Sequence, residues 1–168
     1  MLTHPTLEKL KDMRLSGMVA ALEDQLQTPE IASLSFAERL GLLIDREQTE
    51  RGSRRLKTRL TQAKLRQQAC MEDIDYSGGR GLDKAQLLDL GSCKWITGHH
   101  NLLLTGPTGV GKTYIACALA QKACREGLTA LYLRLPRLFG DLTIAKGDGS
   151  YGKLLVRYGR VDVMVLDD

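Results

Sequence analysis

The chain has 168 residues, of which 43% are apolar, and its formal net charge is +4 at pH 7. This composition is typical of a globular protein that buries a sizeable core. No apolar run reaches 18 residues, and the amino terminus lacks a basic stretch followed by an apolar one. The sequence therefore predicts neither a membrane span nor a secretory signal, and we expect a cytoplasmic protein.

The first third of the sequence has the periodicity of helices. Apolar residues recur at steps of three and four across residues 5–27, which predicts one amphipathic helix entered through a proline. Ser35 and Glu38 then have the spacing of a capping box, in which each side chain bonds to a free backbone amide of the other residue. They predict the start of a second helix, which could continue to about Ala69.

Positive charge is concentrated in the second predicted helix. Residues 46–70 contain eight basic side chains and two acidic ones. When the helix is projected at 100° per residue, the basic side chains lie on both sides of a narrow apolar stripe. A solvated surface helix is one interpretation, but acidic residues that would balance such a helix are absent after Glu50, so we expect contacts with nucleic-acid phosphates. The candidate residues are Arg51, Arg54, Arg55, Lys57, Arg59, Lys64 and Arg66.

The character of the sequence changes after a glycine-rich segment at residues 77–81. We predict a domain boundary there, between a helical region at 1–76 and a second domain at 77–168. A helix is expected over residues 82–96, followed by alternating strands and helices: strands at 101–105, 130–133 and 162–166, and helices at 112–125 and 136–146. Such alternation predicts an α/β domain with a parallel sheet covered by helices.

A glycine-rich loop between the first of these strands and its helix is the most specific motif in the chain. It fits the pattern GxxxxGK[ST] without departure and consists of Gly106, Pro107, Thr108, Gly109, Val110, Gly111, Lys112 and Thr113. In this motif the backbone amides and the helix dipole bind the phosphates of a nucleotide, the lysine reaches the β and γ phosphates, and the threonine hydroxyl ligates Mg²⁺. The loop predicts a site for ATP and Mg²⁺.

Two carboxylates follow the last predicted strand. Asp167 lies 54 residues after Thr113, at the carboxyl end of an apolar run, where a second contact to Mg²⁺ is expected, either directly or through a coordinated water. Asp168 would lie next to Asp167 and is the candidate general base. Together with Lys112 of the glycine-rich loop, it is a predicted catalytic residue. The alternative for both aspartates is a solvated strand end.

Several motifs together resemble one family. GPTGVGKT, LYLRLPRL, DGSYGKLL and VLDD, with RLGLLIDRE and RRLKTRL upstream, are similar to the IstB family of insertion-sequence ATPases, which is related to the DnaC helicase loaders within the AAA+ class. The similarity covers nearly the whole chain. It implies a helical amino-terminal region followed by a P-loop NTPase domain.

The resemblance also implies a function. Family members are ATP-dependent helpers of transposition that assemble as homo-oligomers on double-stranded DNA and recruit a cognate transposase. Carried over to this sequence, Gly106, Gly109, Gly111, Lys112 and Thr113 would hold ATP and Mg²⁺, and Asp167 with Asp168 would complete the acidic motif. The basic segment from Arg54 to Arg66 would assist with DNA and neighbouring subunits.

One departure from the family pattern affects catalysis. Members continue past the acidic strand into a region that supplies a polar sensor residue, an arginine for the neighbouring subunit's site, and a strand lying between the phosphate-loop strand and the acidic strand. We therefore expect a truncated member with impaired ATP hydrolysis, because an arginine supplied in trans can contribute about a thousandfold or more to phosphoryl transfer.

Three alternative functions are compatible with the sequence. A DnaC-like helicase loader would bind a replicative helicase instead of a transposase. A small-molecule kinase would need lid arginines, for which Arg134 and Arg137 are the candidates. A non-catalytic DNA-binding remnant would keep the basic helix while its ATP site is inactive.

Overall fold

The structure is a computed structural model that describes residues 5–76 and 82–168. It divides into two compact units, Met1–Lys57 and Thr58–Asp168. The segment predicted as a domain boundary, residues 77–81, lies outside the described residues. Within the described ranges there are eight α-helices and two β-strands: α1 Pro5–Asp12, α2 Ser16–Gln27, α3 Phe36–Ala63, α4 Lys84–Gly91, α5 Lys94–Thr97, α6 Lys112–Arg125, β1 Ala130–Arg134, α7 Leu135–Gly147, α8 Tyr151–Gly159 and β2 Val163–Asp167. Two 3₁₀ turns cover Pro29–Ser33 and Met71–Asp73.

The first unit begins with two helices where one was predicted. Arg14 has a left-handed backbone (φ 58°), which ends the first helical segment and lets α2 fold back onto α1. Leu7 on α1 and Val19 on α2 are buried. The prediction of a single helix over residues 5–27 was wrong because apolar periodicity continues across the turn, so it does not mark the break.

A close approach between α2 and α3 organises this unit. A Cβ atom added to Gly17 would lie 2.6 Å from the Cα atom of Glu47, so only glycine fits there without movement of the backbone. The Glu47 carboxylate is buried and accepts hydrogen bonds from the amides of Gly17 (2.7 Å) and Met18 (3.3 Å). An acid on one helix therefore satisfies free amides at the amino terminus of the other.

The start of α3 was predicted correctly and its end was not. The capping box is confirmed: the Ser35 amide donates to the Glu38 carboxylate at 2.8 Å, and the Glu38 amide donates to the Ser35 hydroxyl at 3.3 Å. The helix ends at Ala63 and not near Ala69, because Lys64 is left-handed (φ 51°). The turn allows Ala69 to reach the core of the second unit, where it is buried.

The second unit is built around α6 and a parallel pair of strands. β1 and β2 form a two-stranded sheet within the described part of the chain, with Ala130 opposite Val163 and Arg134 opposite Asp167. Helix α6 contacts both strands and supplies much of the core. Its small buried residues, Ala118 among them, let the helix lie close to the sheet.

Two sequence predictions in this unit need correction, and one helix was missed. No strand forms at residues 101–105, since no described strand pairs with this segment; Leu102 and Leu104 pack on the core while the Leu103 side chain is 85% exposed. The helix predicted over residues 82–96 is interrupted because Cys93 is left-handed (φ 59°), which separates α4 from α5. Helix α8 was not predicted at all.

The architecture is that of a helical amino-terminal region followed by a partial P-loop NTPase fold, in which a parallel sheet is flanked by helices. The predicted fold class is therefore confirmed. None of the helices in the described ranges combines the length and the apolar character that crossing a membrane requires.

Candidate functional site

The glycine-rich loop leads directly into α6. Gly109 (φ 84°) and Gly111 (φ 96°) have left-handed backbones, which glycine adopts without the steric cost of a side chain. Gly111 is the residue that precedes the first turn of the helix. The loop therefore surrounds the amino terminus of a 14-residue helix, where free amides and the positive end of the dipole favour an anion.

The Lys112 side chain folds back over this loop. Its ammonium donates hydrogen bonds to the carbonyl oxygens of Gly106 (2.9 Å) and Pro107 (2.8 Å) and is exposed to solvent. Both partners are neutral acceptors, so an anionic phosphate oxygen would form stronger bonds with the same ammonium. The lysine is thus held over the loop by contacts that a phosphate can replace.

Thr113 and Asp167 meet although 54 residues separate them in the sequence. The Thr113 hydroxyl donates a hydrogen bond of 2.9 Å to the Asp167 carboxylate oxygen Oδ2. The contact forms because Thr113 is in the first turn of α6 and Asp167 is the last residue of β2. The structure brings together the two residues that the sequence assigned to Mg²⁺.

Two further side chains hold the Asp167 carboxylate, and neither was expected from the sequence. The Tyr132 hydroxyl donates to Oδ2 at 2.5 Å, and the Arg66 guanidinium lies 3.6 Å from the same oxygen. The hydrogen bond from Tyr132 is the main reason that the pKa of Asp167 is lowered, with the Thr113 bond and the charge of Arg66 adding to it and burial opposing it. Burial raises the pKa of Tyr132, and its bond to Asp167 raises it further. The carboxylate is therefore kept ionised.

The oxygen pair fits a small divalent cation. Mg²⁺ prefers oxygen ligands at 2.0–2.1 Å in octahedral geometry, which places neighbouring ligands about 2.9 Å apart. The Thr113 and Asp167 oxygens are separated by that distance. When bound, the ion would be held by these two residues and would neutralise charge on the phosphate oxygens.

Asp168 is less well positioned than its neighbour. Its side chain is exposed, and its backbone carbonyl accepts a hydrogen bond of 3.2 Å from the Arg134 guanidinium. The structure therefore places Asp168 beside Asp167 without a described contact that would orient its carboxylate. Its role as a general base stays a prediction.

A small cavity adjoins the loop and was not predicted from the sequence. It has a volume of about 260 Å³ and reaches from the 3₁₀ turn at Met71–Asp73 to the first turns of α6. Its lining consists of Asp73, Ile74, Asp75, Leu82, Val110, Gly111, Tyr114 and Ile115. The only hint was the position of Tyr114 immediately after the glycine-rich motif, because residues in the first turn of such a helix lie beside the bound phosphates.

The seven basic residues proposed for nucleic-acid contact have different environments. Arg51 and Arg54 form ion pairs with the buried Glu47 (2.7 and 3.5 Å). Arg59 is half-buried near Gly127, and Arg66 is paired with Asp167. The remaining three, Arg55, Lys57 and Lys64, are exposed. Four of the seven residues therefore contribute to the fold or to the site around Asp167, and the other three lie on the surface.

A loop that follows the GxxxxGK[ST] pattern, leads into a helix and places its threonine against an acidic strand end defines a P-loop nucleotide-binding protein. The sequence profile of the IstB-like ATP binding protein family matches residues 8–168. The chain belongs to this family.

Relatives with insertion-sequence names support the assignment. A protein of Pseudomonas fluorescens named as an ATP-binding protein of insertion sequence IS1162 is 54% identical over 169 residues, covering all of this chain and 73% of its own length. An insertion-sequence ATP-binding protein of Sinorhizobium fredii is 49% identical over all of this chain and 69% of its own length. A Mycobacterium tuberculosis protein with a similar name is 34% identical, over 95% of this chain and 63% of its own length.

Proposed function

We propose that this chain binds ATP together with Mg²⁺ at the glycine-rich loop. The hydrogen bond between Thr113 and Asp167 is the observation that carries the proposal, because it places a hydroxyl and an ionised carboxylate at the spacing of neighbouring Mg²⁺ ligands. Lys112 would exchange its bonds to the loop carbonyls for bonds to the β and γ phosphates. The relatives are named as ATP-binding proteins, which supports ATP as the nucleotide.

The cavity beside Tyr114 is the proposed place of the adenine. It adjoins Val110 and Gly111 of the loop, so a base and its phosphates could be bound at once. Apolar side chains such as Ile74 and Leu82 would pack on the faces of the ring, as is common in small-molecule sites.

The proposed role is that of a transposition helper in the cytoplasm, working with a cognate transposase on double-stranded DNA. The insertion-sequence names of the relatives support a transposase as the partner. The excess of basic side chains in residues 46–70 supports binding to DNA. In this proposal residues 1–76 serve DNA binding and homo-oligomer formation, and residues 77–168 form the ATP-binding domain.

Slow hydrolysis is part of the same proposal. Phosphoryl transfer needs an oriented water molecule and cations that stabilise the transition state. Asp168 is exposed and has no described contact that would orient it. We expect this chain to bind ATP much better than it hydrolyses it.

Fluorescence titration with a labelled adenine nucleotide and Mg²⁺ tests the binding proposal. The wild-type chain should give a saturable signal, and Lys112→Ala should weaken binding by about tenfold or more, since it removes a charge-assisted contact to phosphate. Lys153→Ala, which removes an exposed lysine from α8, is the matched control and should bind as the wild type does. Equal binding by all three proteins would refute the assignment of the loop.

A further inference from the structure

A basic groove lies in the second unit, outside the loop and its carboxylates. It has a volume of about 1080 Å³ and runs beside β1, between the residues that follow α3 and the helices α7 and α8. Six basic side chains line it: Lys64, Arg66, Arg134, Arg137, Arg157 and Arg160. Among the described residues of the lining, Asp141 supplies the single carboxylate. The chain as a whole has 24 basic and 20 acidic residues, so the groove is far more basic than the protein.

The charge in this groove is not balanced from within. Of the six basic side chains, Arg66 pairs with Asp167, and within the described ranges the other five form no ion pair with a carboxylate. Asp141 is itself engaged, since its carboxylate accepts a bond of 3.4 Å from the Tyr158 hydroxyl. An external polyanion would balance this excess of positive charge.

The chemistry of the lining favours phosphodiesters. Five of the six basic residues are arginines, whose planar guanidinium groups match phosphate oxygens with paired hydrogen bonds. Lys64 and Arg66 also end the basic segment that begins in α3, so the groove continues the charge of that segment along the chain. Several cations in one groove are the charge complement of the repeating phosphates of a nucleic-acid backbone.

Arg66 belongs to both sites. It lines the groove, and its guanidinium lies 3.6 Å from the Asp167 oxygen that also accepts the Thr113 hydroxyl. A phosphate in the groove would compete with Asp167 for Arg66, and a cation at Asp167 would compete with Arg66 for the carboxylate. Either event favours the other, because coupling between two ligands is reciprocal.

We propose that this groove binds the phosphodiester backbone of a nucleic acid and that Arg66 couples this binding to the divalent cation at Asp167. The inference rests on the proposed function and adds to it a second nucleic-acid site, lined mainly by residues 129–161, and its link to the nucleotide site. Neither the groove nor the link depends on the exposed residues of α3.

Binding of DNA to the full chain tests the groove. A fluorescent duplex of about 20 base pairs, two helical turns, is titrated at several salt concentrations. The double variant Arg137→Ala/Arg160→Ala should bind about tenfold more weakly at low salt, with a salt slope smaller by about 2, whereas Lys153→Ala should match the wild type. Both positions of the double variant are exposed, and thermal melting checks that it folds.

Cation binding tests the link with a readout other than hydrolysis. Mn²⁺ is titrated in the presence of ADP and followed by electron paramagnetic resonance, with and without the duplex. In the wild type the duplex should raise Mn²⁺ affinity roughly 1.5-fold to fivefold, the scale of one exposed ion pair. Arg66→Gln should bind Mn²⁺ more tightly without DNA and should no longer respond to it.

The outcomes separate this inference from the proposed function. If the wild type binds the duplex but the double variant binds it equally well with the same salt slope, the groove assignment is wrong and DNA binding stands. If the wild type binds no duplex, the groove and the DNA part of the proposed function both fail, while nucleotide binding is judged separately. Tighter binding of poly-glutamate than of DNA, lost in the double variant, would assign the groove to an acidic peptide and overturn the proposal. An unchanged Mn²⁺ affinity in Arg66→Gln would refute the link.

Discussion

The Thr113 hydroxyl and the Asp167 carboxylate are joined by a hydrogen bond of 2.9 Å across the carboxyl edge of the sheet. The hydroxyl of Tyr132 on the neighbouring strand donates a hydrogen bond to the same carboxylate oxygen. These contacts fix the acid against the first turn of α6. The proposed nucleotide site is thus preorganised, which reduces the cost of ordering side chains when a ligand binds.

Replacing the threonine should remove the effect of Mg²⁺ on nucleotide affinity. Thr113→Val keeps the shape of the side chain but loses the hydroxyl ligand, so we expect nucleotide binding that is nearly independent of Mg²⁺. Thr113→Ser keeps the hydroxyl and serves as the control, with an Mg²⁺ dependence close to that of the wild type. Calorimetric titration with and without Mg²⁺ measures both, and equal Mg²⁺ dependence in Thr113→Val would contradict the assignment.

The cavity beside the loop predicts a separable contribution of the base. Tyr114→Ala should weaken binding of ATP by about tenfold, because an aromatic wall of the cavity is lost. Inorganic tripolyphosphate, which has no base, should bind to this variant and to the wild type equally well in a competition titration. If the variant lost tripolyphosphate binding as well, Tyr114 would be supporting the loop and not the base.

The close contact at Gly17 predicts that a larger side chain there destabilises the first unit. Gly17→Ala would place a Cβ atom 2.6 Å from the Glu47 Cα atom, and it should lower the free energy of unfolding by about 1–3 kcal/mol. Gly41→Ala on α3 is the matched control, since nothing lies within 4 Å of its added Cβ atom, and it should raise stability by up to about 1 kcal/mol. Urea denaturation of both variants measures the difference, and an unaffected Gly17→Ala would show that the helices do not approach so closely.

The link between Thr129 and Asp162, just before the two strands, predicts a pH dependence of stability. The Thr129 hydroxyl and amide donate to the Asp162 carboxylate at 2.6 and 2.7 Å, and the hydroxyl is the largest cause of the lowered pKa of Asp162. A lowered pKa in the folded state stabilises the protein above the unfolded value of about 3.9, and this contribution is lost as the pH falls through the folded value.

Asp162→Asn should therefore melt roughly 1–3 °C below the wild type at neutral pH, since Asp162 is exposed and solvent screens its contacts, with the difference shrinking as the pH falls below about 4. Thr129→Val should reduce the same pH dependence, and Thr129→Ser should preserve it because its hydroxyl remains. Melting curves followed by circular dichroism between neutral and acidic pH measure the effect. A constant difference between Asp162→Asn and the wild type at all pH values would contradict this account.

Local signals in the sequence predicted the elements that carry the nucleotide site. Helix α6 begins and ends where its glycine-rich start and its apolar pattern placed it, and the capping box located the start of α3. The carboxyl end of β2 was predicted at Leu166 and lies one residue later. The starts of α3 and α6 are set by contacts within a few residues, which a sequence pattern can express, whereas β2 also depends on its pairing with β1.

Features that depend on tertiary contacts were missed. Arg14 and Cys93 have left-handed backbones, and no glycine or proline at these positions indicated that the chain would turn there. A strand at residues 101–105 cannot form without a partner to bond with, whatever its own apolar character. Similarly, Arg66 and Tyr132 reach Asp167 only because the chain turns at Lys64 and β1 pairs with β2.

The most direct test of the central claim is to measure ATP affinity with and without Mg²⁺ for the wild-type chain and for Asp167→Asn. We predict saturable binding to the wild type that Mg²⁺ strengthens by about tenfold or more, and binding to Asp167→Asn that Mg²⁺ does not strengthen. An absence of saturable binding by the folded wild type, or an equal effect of Mg²⁺ on both proteins, would contradict a nucleotide–Mg²⁺ site between the loop and this carboxylate.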